Sequence, residues 1–264
     1  MKTTDGLVRF TSWLALAPML AMLSSQPAAA QEACALTPIG TGIVASVRDG
    51  RTLLLSDGRE VRLAGIEPGP GGREALQRLA DGASLRLKIF VGNSDPEAPH
   101  DRYGRLVAFV LADEAPASLQ LALLEAGQAR VSGRIGNKAC AEALLAAERA
   151  ARLAGRGLWA DPNFAPLSSE NLAGLKAARG HFALVEGRVL SVRESGATLY
   201  VNFGRRWTRD FTVTIPKRQR RTFAAAGIDP DRLEGSRIRV RGYLEQRGGP
   251  IIEAAVPEQI EPMD

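Results

Sequence analysis

The sequence predicts an α+β protein that is mostly β: an OB-type five-stranded β-barrel with packed helices, followed by a second, smaller OB-like β-barrel. Two observations predict this fold class. Each half of the chain has the order three strands, one helix and two strands, which is the connectivity of an OB-type barrel. The first half also opens with three β-prone runs separated by Asp-Gly pairs, a strong short-range signal for hairpins.

These three runs lie in residues 43–67, around which the first barrel is organised. The pairs Asp49-Gly50 and Asp57-Gly58 predict tight type I′ turns, and therefore a three-stranded antiparallel meander. Side chains alternate between the two faces of a strand, so Arg62 stands on the outer face if Val61 faces the core. The third strand is thus expected to present a cation from a rigid sheet.

The other elements follow from periodicity and from turn residues. In the first half we expect helices and strands in this order: a helix within 71–82, strands at 84–92 and 102–112 joined by the loop 93–101, and helices at 118–127 and 137–154. In the second half we expect strands at 182–193, 197–203 and 208–216, a helix at 217–227, and strands at 237–245 and 251–260.

The predicted domain boundaries follow from these elements. Residues 1–30 carry Lys2 and Arg9 before an apolar run and end in three alanines, the pattern of a cleaved secretory signal. The first barrel spans 40–160, a linker rich in Pro and Ser spans 161–180, and the second barrel spans 181–261. We therefore expect an exported protein, periplasmic or secreted. No later apolar run approaches the roughly 18 residues of a membrane span.

The two cysteines, Cys34 and Cys140, both lie in the mature chain. Export to an oxidising compartment and the even count favour one disulfide, and two separate thiols are the alternative. A structural zinc site is not expected, because His100 and His181 are isolated from one another and from the cysteines. The formal net charge of +5 suits an anionic partner, although only weakly.

Three stretches together resemble the thermonuclease (staphylococcal nuclease-like) family: GTGIVASVRDGRTLLLSDGREVRLAGI, DRYGRLVAFV and AERAARLAGRGLW. They occur in the family's order and spacing between residues 40 and 159. The resemblance implies that Arg62 and Arg105 grip the scissile phosphate, that two carboxylates hold a calcium ion, and that a glutamate is the general base. Such a set suits phosphodiester hydrolysis, which needs a base and cations to neutralise the charge growing on the phosphoryl oxygens.

The acidic residues depart from that pattern. Glu67 stands at one calcium-ligand position of the family, but Arg51 occupies the position of another, and Pro70 stands where the general base belongs. The candidate metal ligands are therefore Asp49 and Glu67. A positive charge beside the site would repel calcium, so we expect no cofactor or a weakly bound calcium ion. Arg51 then becomes a candidate phosphate clamp. The candidate substitutes for the missing base are Glu60 and Glu74.

The nucleotide contacts are also reduced. Arg102 and Tyr103 match the family's basic-aromatic pair, which implies a phosphate contact and a stacking face, with packing inside the barrel as the alternative for the tyrosine. The family's base-flanking tyrosines fall at Gly133 and Ile135, which cannot stack.

A second candidate surface lies in the second barrel. Residues 205–221 contain seven basic residues and one acid, interleaved with Phe203, Trp207 and Phe211 nearby. Cations and aromatic faces are what an OB-fold uses to bind single strands. We therefore name Arg206 and Trp207 as substrate-binding candidates, together with Arg205 and the cluster 217–221. The alternative is a solvated arginine face with its aromatics, Phe203 and Phe211 above all, in the core.

Three functions remain open from the sequence. The first is a nuclease-like phosphodiesterase acting on nucleic acid, with weak or lost hydrolysis. The second is a non-catalytic module that binds single-stranded nucleic acid or another polyanion. The third is a scaffold or interaction protein of the cell envelope, since a fold by itself does not fix a function. A monomer is expected in each case.

Overall fold

A computed structural model of the chain describes residues 34, 36–81, 84–90, 100–112, 115, 117–133, 135 and 138–263. For residues 84–90 it describes the backbone alone. The predicted signal and most of the predicted loop 93–101 lie outside these residues. Among the helices within them, none combines the length and the apolar character that crossing a membrane requires.

The first half folds as predicted, into a closed five-stranded barrel with helices packed against it. The barrel order is β1-β2-β3-β6-β5, and β3 runs parallel to β6. The elements of this half are β1 (Leu36–Asp49), β2 (Thr52–Leu55), β3 (Glu60–Leu63), β4 (Ile66–Pro68), α1 (Gly72–Ala80), β5 (Ser84–Phe90), β6 (Leu106–Ala112), α2 (Leu119–Glu125), β7 (Ala129–Val131) and α3 (Lys138–Leu153).

The meander β1-β2-β3 is antiparallel, as predicted, but its turns differ from the prediction. Gly50 is absent from the glycines with positive φ, so the first turn is not type I′. A Cβ on Gly50 would come within 2.5 Å of the Pro68 Cβ, so close packing explains this glycine. The second turn is longer: the Leu55 N–H donates to the Arg59 carbonyl, and Gly58 takes a φ of +87°.

The second half has the strand order of an OB-type barrel, divided between two sheets. These are β10-β11-β12-β15-β14 and β16-β13-β9-β8, and β12 runs parallel to β15 as β3 does to β6. The strands and helices are β8 (Leu167–Ser168), α4 (Leu172–Ala177), β9 (Phe182–Arg188), β10 (Ser191–Ser195), β11 (Thr198–Asn202), β12 (Thr212–Pro216), α5 (Arg220–Ala225), β13 (Arg237–Tyr243), β14 (Glu245–Arg247), β15 (Gly249–Glu253) and β16 (Ile260–Met263).

The segment predicted as a linker, 161–180, is folded onto the second half. β8 pairs in parallel with β9, and Leu175 of α4 is buried in the second hydrophobic core. The Gly180 N–H also donates to the Leu244 carbonyl at 2.7 Å. This segment therefore belongs structurally to the second half, while the domain boundaries stay a prediction.

A buried charge network joins the two halves. Arg241 of β13 is fully buried; it donates to Glu148 of α3 at 2.9 Å and to the Val131 carbonyl at 3.0 Å, and it pairs with Glu261. Burial alone would lower the pKa of Arg241, but the two carboxylates outweigh it and raise this pKa. Nearby, Arg130 of β7 donates to the Phe182 carbonyl at 2.8 Å.

The predicted disulfide between Cys34 and Cys140 is present, with Cα atoms 4.7 Å apart. It ties the beginning of the described chain to α3, across a separation of 106 residues. Cys140 is buried in the first hydrophobic core, so the bridge also anchors that helix.

We expect reduction of this disulfide to lower the free energy of unfolding by about 4 to 5 kcal/mol, because a long loop is closed in the unfolded chain. Urea unfolding with and without dithiothreitol measures the change. The control is the Cys34→Ser/Cys140→Ser variant, which should not respond to dithiothreitol. Equal midpoints for oxidised and reduced wild type would contradict the prediction.

We expect Arg241→Met to lower the free energy of unfolding by roughly 1.5 to 3 kcal/mol, because Glu148 and Glu261 lose charged hydrogen bonds from Arg241 but keep Arg152 and Arg239 beside them. Arg237→Met, on an exposed position of the same strand face, should change it by less than about 0.5 kcal/mol. Urea unfolding at neutral pH compares the two variants.

The pH dependence gives a second measurement of the same network. Burial acts to raise the pKa of Glu261, but Arg241 and Arg239 outweigh it and hold this pKa below its usual value. Its stabilisation is therefore present above the unfolded pKa of about 4.3 and is lost as the pH falls through the folded pKa. An Arg241→Met variant as stable as wild type at pH 7 would refute a stabilising role for the network.

Candidate active-site cleft

A cleft of about 700 Å³ lies between the two halves, and both line it. The first half contributes four arginines, Arg51, Arg62, Arg102 and Arg105. The second half contributes six residues: Phe182, Gly242, Tyr243, Glu245, Glu253 and Gln259. The cleft is therefore strongly cationic on one wall, and aromatic and acidic on the other.

Arg62 is placed in the cleft by strand alternation, as the sequence predicts. Its neighbours Val61 and Leu63 are buried in the barrel core, so the side chain between them points outward. Burial lowers the pKa of Arg62, and the like charges of Arg51 and Arg105 lower it further. Within the described part of the chain its guanidinium has no ion-pair or hydrogen-bond partner, so it remains available for an anion in the cleft.

Arg105 lies in a turn before β6, although the sequence predicts a strand from residue 102. Asp101 fixes its orientation: the Arg105 Nε and Nη2 donate to one carboxylate oxygen at 2.9 and 2.7 Å. Burial acts to raise the pKa of Asp101, but hydrogen bonds from Arg105 and from the Tyr103 N–H outweigh it and lower this pKa. The carboxylate therefore stays ionised and holds the guanidinium in place.

Tyr103 lies on the rim of the cleft and does not pack inside the barrel. Its side chain is 66% exposed, and the Arg102 and Arg105 guanidinium carbons lie 4.7 and 5.2 Å from its ring centroid. Arg102 also donates to the Tyr103 hydroxyl at 2.6 Å. The alternative of a barrel-packing aromatic is thus excluded for this residue, and its ring and two cations form one exposed cluster.

Arg51 forms an ion pair with Glu67 inside the cleft. Glu67 also accepts a hydrogen bond at 2.9 Å from the Tyr243 hydroxyl, which comes from the second half of the chain. Burial raises the pKa of Tyr243, and the hydrogen bond to Glu67 raises it further. Both oxygens of the Glu67 carboxylate therefore have donors from the protein itself.

The comparison with known families agrees with this geometry. The family described as Staphylococcal nuclease homologue (SNase) matches residues 61–161. This part of the chain is a staphylococcal nuclease-like domain. No curated protein matches the sequence. The nuclease-like domain contains Arg62, Arg105 and Glu67, while Asp49 and Arg51 lie just before the matched residues.

Calcium, on which the family generally depends, does not fit the residues present in this domain. Arg51 and Tyr243 occupy Glu67, and Asp49 accepts the Arg51 N–H at 2.8 Å on an exposed turn that does not line the cleft. No cluster of three or more His, Cys, Asp or Glu side chains suitable for a metal occurs within the described ranges. Asp49 and Glu67 as metal ligands remain a prediction, which this geometry does not favour, because the Arg51 guanidinium stands where a further carboxylate ligand would be needed.

The position of the general base is also unfilled in this domain. Pro70 is exposed, and neither candidate substitute lines the cleft: Glu60 pairs with Arg48 at 3.5 Å, and Glu74 is exposed on α1. The carboxylates that do line the described cleft are Glu67, Asp101, Glu245 and Glu253. The first two are bonded to arginines, and the last two come from the second half.

The second half also accounts for the missing base-flanking tyrosines. Gly133 packs against Gln259, whose Cγ would lie 2.5 Å from a Cβ at that position, and Ile135 is buried in the core. Sequence reasoning missed Tyr243 and its neighbours in the cleft, because nothing in their own strand pattern indicates what they face. The periodicity of β13 indicates only that Arg241 and Tyr243 share one face.

Arg206 and Trp207 do not line this cleft and lie on a loop of the second half. The Arg206 N–H donates to Asp210 at 2.9 Å, and Trp207 lines a different cavity. Phe211 is fully buried and Phe203 packs against it, so these two aromatics belong to the core, as the alternative predicts. Two cations of the cluster 217–221, Lys217 and Arg220, form ion pairs with Glu194 and Asp231.

We expect calcium to stabilise an Arg51→Asp variant but not the wild type. The substitution removes the guanidinium from one Glu67 oxygen and adds a carboxylate beside it, which supplies oxygen ligands in place of a repelling charge. Thermal unfolding with 1 mM calcium, on the order of 100 times the Kd of a calcium sensor, should show a higher melting temperature. The matched control is Arg59→Asp, which changes the other Asp-Gly-Arg turn away from the cleft. If calcium raised the melting temperature of the wild type, the conclusion that calcium does not fit this site would be wrong.

Proposed function

We propose that this protein is an exported, thermonuclease-like protein that binds nucleic acid through its phosphate backbone and hydrolyses it weakly or not at all. The observation that carries the proposal is the grouping of Arg62, Arg105 and Arg51 in one cleft of a nuclease-like domain. Guanidinium groups suit phosphates, because their planar fork holds two oxygens at once.

The three arginines contribute differently to the proposed binding. Arg62 has no partner within the described residues, so a phosphate would satisfy it directly. Arg105 is oriented by Asp101 through its Nε and Nη2, which leaves its Nη1 for the ligand. Arg51 is held by Glu67 and acts as a fixed positive charge, the role of phosphate clamp that the sequence analysis assigned to it. Arg102 and Tyr103 supply a further cation and a stacking face on the rim.

We expect weak hydrolysis because the cleft lacks a general base and a set of carboxylates suited to calcium. A general base contributes typically 10² to 10⁴-fold to such a reaction, and Pro70 cannot accept a proton. Glu67 is a poor substitute, because Arg51 and the Tyr243 hydroxyl already donate to its two carboxylate oxygens. The cleft is therefore better suited to binding nucleic acid than to hydrolysing it efficiently.

Export is supported by the N-terminal signal pattern and by the disulfide. Disulfides form and persist in oxidising compartments, such as the periplasm or the extracellular space. The Cys34–Cys140 bridge is consistent with that environment.

We expect mature protein to bind fluorescein-labelled single-stranded DNA and RNA, with log affinity falling linearly with log salt at a slope near −0.7 per phosphate contacted. Arg62→Ala and Arg105→Ala should each weaken binding about tenfold or more, since hydrogen bonds to charged groups contribute roughly 1.5 to 3 kcal/mol. Fluorescence anisotropy measures both effects. Arg59→Ala, an exposed cation paired with Asp57 outside the cleft, is the matched control.

Cleavage is followed on a gel in the same samples, with calcium and with chelator. Traces of product that persist in chelator and disappear in the Arg62→Ala/Arg105→Ala variant would fit the proposal. Rapid calcium-dependent cleavage would refute weak hydrolysis. No binding even at low salt would refute the nucleic-acid function and leave the envelope-scaffold reading.

A further inference from the structure

A second cavity, of about 680 Å³, lies on the outer face of the sheet formed by β10, β11, β12, β15 and β14. Strand alternation builds it. Leu199, Val201, Val213 and Ile215 are buried in the second core, so the residues between them face outward. These outward residues line the cavity: Thr198, Tyr200, Asn202, Thr212 and Thr214. We call this cavity the sheet groove.

The strand register orders these side chains in rows across the sheet groove. Arg193 lies opposite Tyr200, Tyr200 opposite Thr214, and Thr214 opposite Glu253. In the neighbouring row, Asn202 is already bonded to its surroundings, since it receives a hydrogen bond from Thr212 and donates to Ser191 at 3.3 and 3.4 Å. The first row has no such internal bonds among the described residues, so its polar groups are open to a ligand.

Cations stand around this row without partners. Arg193 and Arg218 both line the sheet groove, and neither has an ion pair within the described ranges. Glu194, one residue after Arg193, points to the other face, where it binds Lys217 and Arg220. A third arginine that lines the sheet groove, Arg247, pairs with Glu245 at 2.8 Å, so Arg193 and Arg218 are the ones left for a ligand.

An exposed indole closes the end of the sheet groove. Trp207 is 68% exposed, the largest exposed fraction among the aromatic side chains of the second half that the structure describes. It is seated against the turn between β14 and β15: a Cβ on Gly248 would lie 3.5 Å from its ring. A large aromatic held in place but left open to solvent presents a flat face to a ligand.

We propose that the sheet groove is a separate binding site for a single-stranded oligonucleotide. Phosphates contact Arg193 and Arg218, a base stacks on Trp207, and the hydroxyl groups of Tyr200 and Thr214 contact sugar or base edges. A ligand with anionic groups alone would be enough to pair with the arginines. The indole and the row of hydroxyl groups favour a polyanion that also carries flat, hydrogen-bonding rings. This site does not depend on the cleft described above, although Glu253 lines both cavities and so places them side by side.

The residues that line the sheet groove differ from the residues that the sequence indicates for oligonucleotide binding. The segment 205–221 is basic as a whole, but only Trp207 and Arg218 of its candidates line the sheet groove. Arg193 lies outside that segment and joins them through the pairing of β10 with β11. Neither Arg205 nor Arg206 lines the sheet groove, so we expect no direct role for them in this site.

The test uses the full mature chain carrying Arg62→Ala/Arg105→Ala, so that the cleft does not contribute. The probe is an eight-nucleotide oligo-dT with a fluorescein label, because OB-type sites span roughly 4 to 16 nucleotides. We expect this variant to retain binding. Adding Trp207→Ala should weaken it about 5- to 150-fold, which corresponds to the roughly 1 to 3 kcal/mol of one stacked base.

Adding Arg193→Glu/Arg218→Glu should abolish binding at moderate salt, and Arg193→Gln/Arg218→Gln should weaken it more mildly. The matched control is Arg179→Glu/Arg232→Glu, which makes the same charge change at exposed positions outside both cavities. Circular dichroism and thermal unfolding confirm that each variant is folded. Heparin hexasaccharide, a polyanion without bases, serves as the competing ligand.

Three outcomes would overturn the proposal: no oligo-dT binding by the cleft variant, equal losses in the groove and control variants, or heparin binding that matches oligo-dT and ignores Trp207→Ala. Failure of the function proposed for the cleft is recognised separately. In that case wild type and the Arg62→Ala/Arg105→Ala variant bind oligo-dT equally, while the groove variants still lose binding.

Discussion

The burial of Arg241 is the interaction on which the arrangement of the two halves depends. A fully buried guanidinium is tolerated only when carboxylates and carbonyl groups surround it, and here these come from both halves of the chain. Separating the halves would take Arg241 away from Glu148 and leave that carboxylate only Arg152 and the Val131 N–H of its own half. Since side chains two residues apart share a face of a strand, the same contact fixes Tyr243 beside Glu67. The cleft is thus a consequence of the interface.

This constraint connects the altered site to the presence of the second half. Glu67 has two donors, Arg51 from the turn after β1 and Tyr243 from β13. An arginine at position 51 without a carboxylate partner would be costly in a half-buried cleft, and a free Glu67 would favour a metal ion. With both donors in place, the Arg51 guanidinium stands where a calcium ion would otherwise be needed. A guanidinium can bind a phosphate, but it cannot activate a water molecule as a metal ion does.

Much of the fold could be predicted because alternation and turn residues act locally. The barrel strands, Arg62 on the outer face and the Cys34–Cys140 bridge all follow from nearby sequence or from compartment. The missed features depend on distant partners. Arg241 is an ordinary outward residue by the pattern of β13, and only the approach of Glu148, 93 residues earlier, buries it. Likewise, a run of basic residues does not reveal which of them find acidic partners, as Lys217 and Arg220 do.

The distinction between structural arginines and those proposed to bind rests on access as well as on partners, because Arg105 pairs with Asp101 and still lines the cleft. Arg241 and Arg239 are enclosed by carboxylates, so an external anion would have to compete with charges that are already well satisfied. Arg62, Arg193 and Arg218 differ, because they form no ion pair among the described residues and each lines a cavity open to solvent. A guanidinium retains its charge in either setting. We therefore expect an incoming polyanion to bind at the two cavities that hold unpaired arginines, rather than at the most basic stretch of the sequence.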